Sequence, residues 1–466
     1  MTGRHELRLL WRDSAALVVW LMWCAALLYA LATGWQVAER TRADVQAFEA
    51  AAQARIQAQQ AKVAEAEGTG TVTDRFAGFP STIRAPAVLP VSPVAFLSVG
   101  EMDLQPHTAT VSLFTPAGAA AKGQELQSPV TLATGRFDLS YVVVVLMPLV
   151  LLALCHNQLA EDREQRRLPM LAAQGGLHRL LWRRLALRGA VVVLPLIIFS
   201  GAAAVWQGGG LTAVPAWAAW VAPALAWGLF WLALCGLVGR RAAHGGTAAA
   251  MLVSVWLLLV LLLPAALGAL VQTVAPVPSP LLAATALRTA EVQAERDRER
   301  ILGRYISDHP EMKVSTAQDD VAWTRSYYAQ MQFVERALQP LRDEARAAAQ
   351  AHASLRAALA WVSPAQMVEQ ALQRAAGTDA GRYEAFSVQR ARFKQDWDAP
   401  LVAPLLAGQT LTVADLDSLP SFTFREAQDS GSWWATAYLI TLFAVLLGAL
   451  WRLERMRPLT PVARTA

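Results

Sequence analysis

The chain has 466 residues, of which 55% are hydrophobic and only 17% charged. Soluble domains carry roughly 25% charged residues, so an ordinary soluble protein is excluded and an integral membrane protein is indicated. The formal net charge of +5 gathers in arginines flanking apolar runs and makes no case for nucleic acid as a partner.

Six runs approach the ~20 apolar residues that a ~30 Å hydrocarbon core demands of a helix. They cover roughly residues 14–34, 139–156, 185–206, 217–239, 248–272 and 433–451. Backbone inside lipid must satisfy its own polar groups, so each run is expected to be helical. Pro195 and Pro264 are expected to kink their helices rather than end them. The expected fold class is an all-α membrane protein with six transmembrane helices and two largely helical extracytoplasmic insertions.

Arginines set the expected orientation. Arg4, Arg8 and Arg12 precede the first run, and Arg163, Arg166, Arg167, Arg179, Arg183 and Arg184 separate the second from the third. Arg240 and Arg241 separate the fourth from the fifth, and Arg452, Arg455, Arg457 and Arg464 follow the sixth. The positive-inside rule then places both termini and these short loops in the cytoplasm. The organisation expected is a tail and first span (1–34), a first extracytoplasmic region (35–138), spans two to five with a cytoplasmic loop at 157–184 (139–272), a second extracytoplasmic helical domain (273–432), and a last span with a cytoplasmic tail (433–466). The first span carries Ala30-Leu31-Ala32, the small-residue pattern of a signal cleavage site. Its length and the charged helix that follows favour a retained anchor.

After the first span, WQVAERTRADVQAFEAAAQARIQAQQAKVAEAE is rich in helix formers, with a thin stripe of Val37, Val45, Phe48, Ile56 and Val63. It is expected to continue as a helix out of the membrane and to end at Gly68-Thr69-Gly70. FPSTIRAPAVLPVSP is too proline-rich for helix or central strand and is expected to be ordered loop. ATVSLFT alternates and reads as a short strand. Beyond the fifth span, helices are expected over LLAATALRTAEVQAERDRERILGRYI, from Thr316 to the AWV at 360–362 with a bend at Pro340, over SPAQMVEQALQRAAG with Ser363 as N-cap, and over AGRYEAFSVQRARFKQDWDAPLV. They are expected to form an outer bundle.

No phosphate loop, HExxH, CxxC or GxSxG occurs, so no enzyme is expected in this chain. Asp308, His309 and Glu311 have metal-ligand chemistry but read as a solvated helix break, and Asp319-Asp320 as helix-start charge. Cys24, Cys155 and Cys235 read as buried apolar cysteines. Arg188 is the one ionisable side chain expected within a span, reaching back to the interface. Trp23, Trp206, Trp217, Trp220, Trp433, Trp434 and Trp451 read as interface anchors.

The segment EDREQRRLPMLAAQGG, residues 161–176, is unusual for a loop that only connects two spans. An arginine-heavy stretch leads into a short helix of Leu168, Leu171 and Ala172, a Gly175-Gly176 reversal, and the basic amphipathic LHRLLWRRLALR. This order resembles the coupling region of ABC-2-type permeases. SPVAFLSVG (92–100), WLLLVLLLPAALGALVQTVAPVPS (256–279), VSPAQMVEQALQRAAGTD (362–379) and LPSFTFRE (419–426) resemble a bacterial branch of those permeases that has large extracytoplasmic insertions and a domain of unknown function. Arg166-Arg167 stand where that family usually has Gly-Thr.

The resemblance implies a permease subunit, in a bacterial inner membrane, that couples ATP hydrolysis on a separate ABC ATPase chain to export of an unknown substrate. ATP and magnesium would bind that partner, and this chain would hold no cofactor. Glu161, Arg163, Glu164 and Arg167 would make polar contacts with the ATPase, while Leu168, Leu171 and Ala173 would seat in its groove. A second permease copy or a related permease would complete the pathway in membrane lipid. Two alternatives stand beside export. One is ATP-driven force transmission to a periplasmic partner without transport. The other is a ligand-binding membrane sensor or scaffold.

Overall fold

The structure is a computed structural model, and it describes residues 12–69, 77–100, 102, 104–115, 137–157, 177–242, 244–276, 279–308, 322–426 and 432–456. These residues are almost entirely helical. Five helices are long and apolar enough to cross a membrane, and a sixth apolar helix, Leu139–Cys155, is shorter. The chain is thus a helical membrane protein.

Helix α1, Ser14–Thr69, runs for 56 residues without a break, or roughly 84 Å at 1.5 Å per residue. It carries both the first apolar run and the Ala/Gln/Glu/Arg-rich stretch, because neither contains a residue that stops a helix. The other apolar helices are α2, Leu139–Cys155; α3, Leu177–Gln207; α4, Val214–Arg241; and α5, Gly245–Val274. The α3–α4 turn uses positive φ at Gly209 and Gly210, a conformation that side chains disfavour. Pro195 is accommodated inside α3. In α5 a π-helical turn at Leu257–Leu262 leads into Pro264, which shifts the hydrogen-bond ladder just where proline lacks a donor.

Helix α4 is the hub, packing on α2, α3 and the last helix. Trp220, Trp227 and Trp231 on α4 are fully buried. Trp227 stacks on Phe230 at 5.3 Å and meets Trp231 edge-on at 5.5 Å. Two tryptophans expected as interface anchors belong to this core instead. Trp23 donates to the Val192 carbonyl at 2.9 Å and Trp220 to Ser98 Oγ at 3.0 Å. Each indole N–H finds an acceptor inside the protein, so the ring need not sit at a wet surface. Trp206, Trp433, Trp434 and Trp451 are exposed. Cys155 and Cys235 are buried and in contact with one another, while Cys24 is half-buried.

Beside the apolar helices, segments around residues 79–113 and 383–411 pack into a second body. β1, Ala85–Val88, pairs antiparallel with β2, Thr108–Val111, with Pro86 opposite Thr110. The strand at ATVSLFT was expected, whereas β1 lies in the stretch read as loop. A two-stranded ribbon tolerates Pro86 because each strand has an unpaired edge. The helices that follow are α6, Pro280–Arg296; α7, Arg298–Asp308; α8, Ala322–Ala360; α9, Pro364–Ala376; α10, Ala380–Ala407; and α11, Val413–Asp417. α12, Ser432–Met456, completes the described chain. The single helix expected over 281–306 is divided at Asp297, which leaves helical geometry. His309, Glu311, Asp319 and Asp320 lie outside the described residues.

The core of this body, which we call the extramembrane core because it lies apart from the apolar helices, joins Phe79, Ile83, Leu89 and Val111 to Tyr383, Phe386, Trp397 and Leu405. Segments that lie far apart in the sequence, around residues 79–113 and 383–411, thus share one core. The ribbon has too few residues to bury its own apolar face, and α10 supplies the other wall.

Gly34 of α1 shows how closely the segments meet. A Cβ there would collide with the Phe96 carbonyl oxygen, whereas a Cβ at Gly268 of α5 would meet nothing within 4 Å. Gly34→Ala is expected to cost about 1–3 kcal/mol through overpacking, while Gly268→Ala leaves stability unchanged or slightly raised. Thermal unfolding of the two variants in one detergent, followed by fluorescence-detected gel filtration, measures the contrast.

Candidate coupling junction

All seven residues expected to dock an ATPase, namely Glu161, Arg163, Glu164, Arg167, Leu168, Leu171 and Ala173, lie outside the described residues. What the structure does place is the set of distant segments quoted above. They converge where the extramembrane domain meets the ends of the apolar helices.

Residues 92–100 enter this junction as non-helical chain containing one 3-10 turn, Ala95–Leu97. Val94, Ala95, Phe96 and Leu97 are buried against α1 and share a core with Trp220 and Leu139. Buried backbone of this kind needs a partner for each polar group. Arg42 of α1 donates to the carbonyls of Ser92 and Pro93 at 3.3 and 3.2 Å. Asp138, the N-cap of α2, accepts from Tyr141 N–H at 2.8 Å and from Val99 N–H at 2.9 Å. It also accepts from the Gly100 N–H. A capping carboxylate thus ties a loop to a helix start. Ser98 bonds Ser140 through their hydroxyls and also receives the Trp220 indole N–H.

α9 is the second component. It was expected in an outer bundle, but its Ala365, Val368, Leu372 and Ala376 belong to the core of the apolar helices. It packs on α4 and α12. Ser363 caps it, accepting from Gln366 N–H at 3.4 Å, and Gly377 ends it with φ 70°. The small side chains at 365, 371 and 376 let α9 approach its neighbours closely, and its polar face carries Gln370, Gln373 and Arg374. The same helix bonds α5 through Gln366 Nε2 and the Pro264 carbonyl at 3.3 Å. Gly100, at φ 53°, lies against Thr378 just beyond α9, where a Cβ would come within 2.6 Å of the Thr378 carbonyl oxygen.

Arg382 at the start of α10 fastens the junction to the extramembrane domain. Its Nε bonds both Glu426 oxygens at 3.1 Å, Nη1 the Gly377 carbonyl at 3.1 Å, and Nη2 the Pro90 carbonyl at 2.8 Å. The guanidinium also lies 5.4 Å from the centre of the Phe424 ring. Three sequence-distant segments, around residues 90, 377 and 426, thereby share one cation. Arg382 charge also reaches His107, whose Nε2 is 3.0 Å from Tyr383 Oη. Burial foremost, and then Arg382, hold His107 neutral, with its pKa lowered to about 4 against a weaker opposing hydrogen bond from the Gln105 backbone.

Arg188, expected to reach the interface, donates to the Leu154 carbonyl, where it serves the open C-terminal end of α2. Sequence reasoning passed over Asp138, Arg382 and His107. Asp138 was readable as an N-cap immediately before an apolar run; nothing in the linear order marked the other two.

The profile of a family described as "Domain of unknown function (DUF3526)" matches residues 281–425, less than half of the chain. The match opens in the first turn of α6 and closes one residue before Glu426. No curated protein and no solved structure matches the chain.

Two outcomes are expected. Arg382→Lys cannot reproduce the fork of bonds and should lower stability by about 1.5–3 kcal/mol. Glu426→Gln should cost at most about 1 kcal/mol, since the Glu426 side chain is 61% exposed and exposed pairs contribute little. Melting temperatures of both variants test the ranking.

The second concerns pH. His107 has a folded pKa below its unfolded value of about 6.5, so the folded state holds fewer protons. Stability is complete above about pH 6.5 and falls as pH drops towards about 4, by up to about 3 kcal/mol. Asp398, raised mainly by burial, has the opposite slope, so the readout is a difference between proteins. His107→Gln should flatten the loss between pH 6.5 and 4, measured by thermal melts across that range.

Proposed function

We propose that this chain is the membrane subunit of an ABC-2-type export complex, driven by a separate ABC ATPase. The observation that carries the reading is the convergence at one junction of the stretches that resemble such permeases. Residues 92–100 and 362–379 touch through Gly100 and Thr378, and 419–426 joins them through Glu426 and Arg382. Segments with independent structural duties have no reason to meet in one place.

In this reading Leu139–Cys155 is the second of six spans. Its 17 residues cover roughly 26 Å as helix, close to the thickness a tilted or locally thinned bilayer presents. Both termini and residues 157–184 face the cytoplasm of a bacterial inner membrane, and the body built on β1, β2 and α6–α11 lies outside. The chain performs no chemistry of its own. ATP and magnesium act on the partner, whose closure presses on Glu161, Arg163, Glu164 and Arg167 and on a groove contact made by Leu168, Leu171 and Ala173. Such a push moves the helices only if the two ATPase states contact the loop differently. A second copy or a related permease completes the complex.

Force transmission to a periplasmic partner without transport is the second reading, and α1 favours it. A helix unbroken from one end of the apolar bundle into the extramembrane core can relay tilt over roughly 80 Å.

Affinity purification from native membranes should recover an ABC ATPase. Leu171→Asp should abolish the effect of this chain on ATPase turnover while melting normally, and Ala173→Cys should react with an impermeant maleimide only in inverted vesicles. A stable, active chain with no ATPase bound, or labelling of Ala173→Cys from outside, overturns the proposal.

A further inference from the structure

The extramembrane domain contains a cleft of about 640 Å³, within the roughly 300–1,000 Å³ of small-ligand sites. Four separate pieces of chain build it: the distal part of α1, the segment from Ser81 into β1, Trp397 of α10, and the chain from Leu416 to Phe422. Its inner wall is apolar, from Ile83, Trp397, Leu419 and Phe422. Ile56, 38% exposed, extends that wall towards solvent.

The charged groups lining it have one sign. Arg55, Lys62 and Arg84 line the cleft, with no carboxylate among the lining residues. Arg55 and Arg84 make no ion pair among the described residues. Asp417, next in sequence to the lining residue Leu416, accepts from Gln60 Nε2 at 2.8 Å. Trp397 is 4% exposed and its indole N–H has no acceptor among the described residues, a cost that buried polar groups seldom bear without a partner. Gln59 bonds Thr82 at 3.2 Å, so α1 is fastened to the cleft floor rather than lying loosely over it.

The geometry points to a binding site for an amphiphilic anion: an apolar chain against Ile83, Leu419 and Phe422, and a phosphate or carboxylate headgroup between Arg55 and Arg84. Arginine suits such oxyanions because its fork matches their oxygens. The headgroup end lies 21 residues beyond Gly34 along α1, or roughly 30 Å from the end of the apolar run. A lipid still seated in the bilayer cannot span that gap, so the source is a free amphiphile or one already extracted from the membrane. This inference does not rest on the ATPase reading.

Dodecyl phosphate is the probe, with the full chain held in nanodiscs of zwitterionic phosphatidylcholine and binding read by equilibrium dialysis against empty nanodiscs. Saturable binding near one per chain is expected, with dodecyltrimethylammonium and inorganic phosphate at least tenfold weaker. The double variant Arg55→Glu/Arg84→Glu alters exposed side chains and should keep its melting temperature while losing at least tenfold in affinity. Ile56→Gln should weaken dodecyl phosphate more than butyl phosphate. Uptake no greater than by empty nanodiscs, or equal affinity in the charge-reversed variant, overturns the inference.

Discussion

A stretch of non-helical backbone buried among apolar helices is the constraint from which the rest of this structure follows. Within residues 92–100, the buried run 94–99 brings amide and carbonyl groups into an apolar core, and its ends are held at the edge of that core. Each unmatched group there costs on the order of 1–3 kcal/mol, so the surroundings must be polar at chosen points and apolar elsewhere. Asp138 accepts two amides from this stretch, Arg42 donates to two of its carbonyls, and Trp220 turns its indole N–H to Ser98. Those partners sit on α1, the start of α2, and α4. Satisfying one loop therefore fixes the relative position of three helices, which apolar packing alone constrains far less.

The same logic explains why two segments separated in sequence by four apolar helices form a single body. The β-ribbon has one apolar face and too little chain to cover it. α10 has Tyr383, Phe386, Phe393 and Trp397 along one side and needs a surface for them. Each completes the other, and α1 runs alongside both. A sequence family bounded by residues 281 and 425 thus cuts through a physical core that also requires residues 79–113. Sequence similarity follows the continuous segment; burial does not respect that boundary.

Local features were readable from the residues because local physics controls them. The unbroken run of helix formers in α1, the Ser363 cap before Pro364, the proline tolerance of α3 and α5 and the alternation in β2 each depend on neighbours within a few positions. Long-range choices were less accessible. α9 is amphipathic and suits an exterior bundle as well as a crevice beside α4. Small residues at 365, 371 and 376 could indicate close approach, but they do not name the neighbour. Trp23 and Trp220 illustrate the same limit: tryptophan favours an interface unless an acceptor waits inside, and the acceptors here are a carbonyl 169 positions away and a serine 122 away. β1 was missed because proline was given its average preference, whereas a ribbon edge removes the penalty.

A rigid junction has a consequence for motion. Arg382 bonds three segments at once, Asp138 two, and α9 contacts α4, α5 and α12, so displacement of any one helix is shared rather than absorbed. Packed cores respond to such displacement by moving between discrete arrangements, since close packing leaves little room for gradual strain. α1 then carries the change outwards, because its far half is fastened to the extramembrane core through Gln59 and Gln60 and through contacts with β1 and α11. The cleft lies along that far half. One wall belongs to α1 and the opposite wall to α10 and the chain from Leu416 to Phe422, so a tilt of α1 that changes the width of the cleft must first strain the bonds of Gln59 to Thr82 and of Gln60 to Asp417. If, as proposed, a partner does work on the apolar helices and a ligand fills the cleft, α1 links the two, and by thermodynamic reciprocity a ligand that prefers one width biases the helices in return.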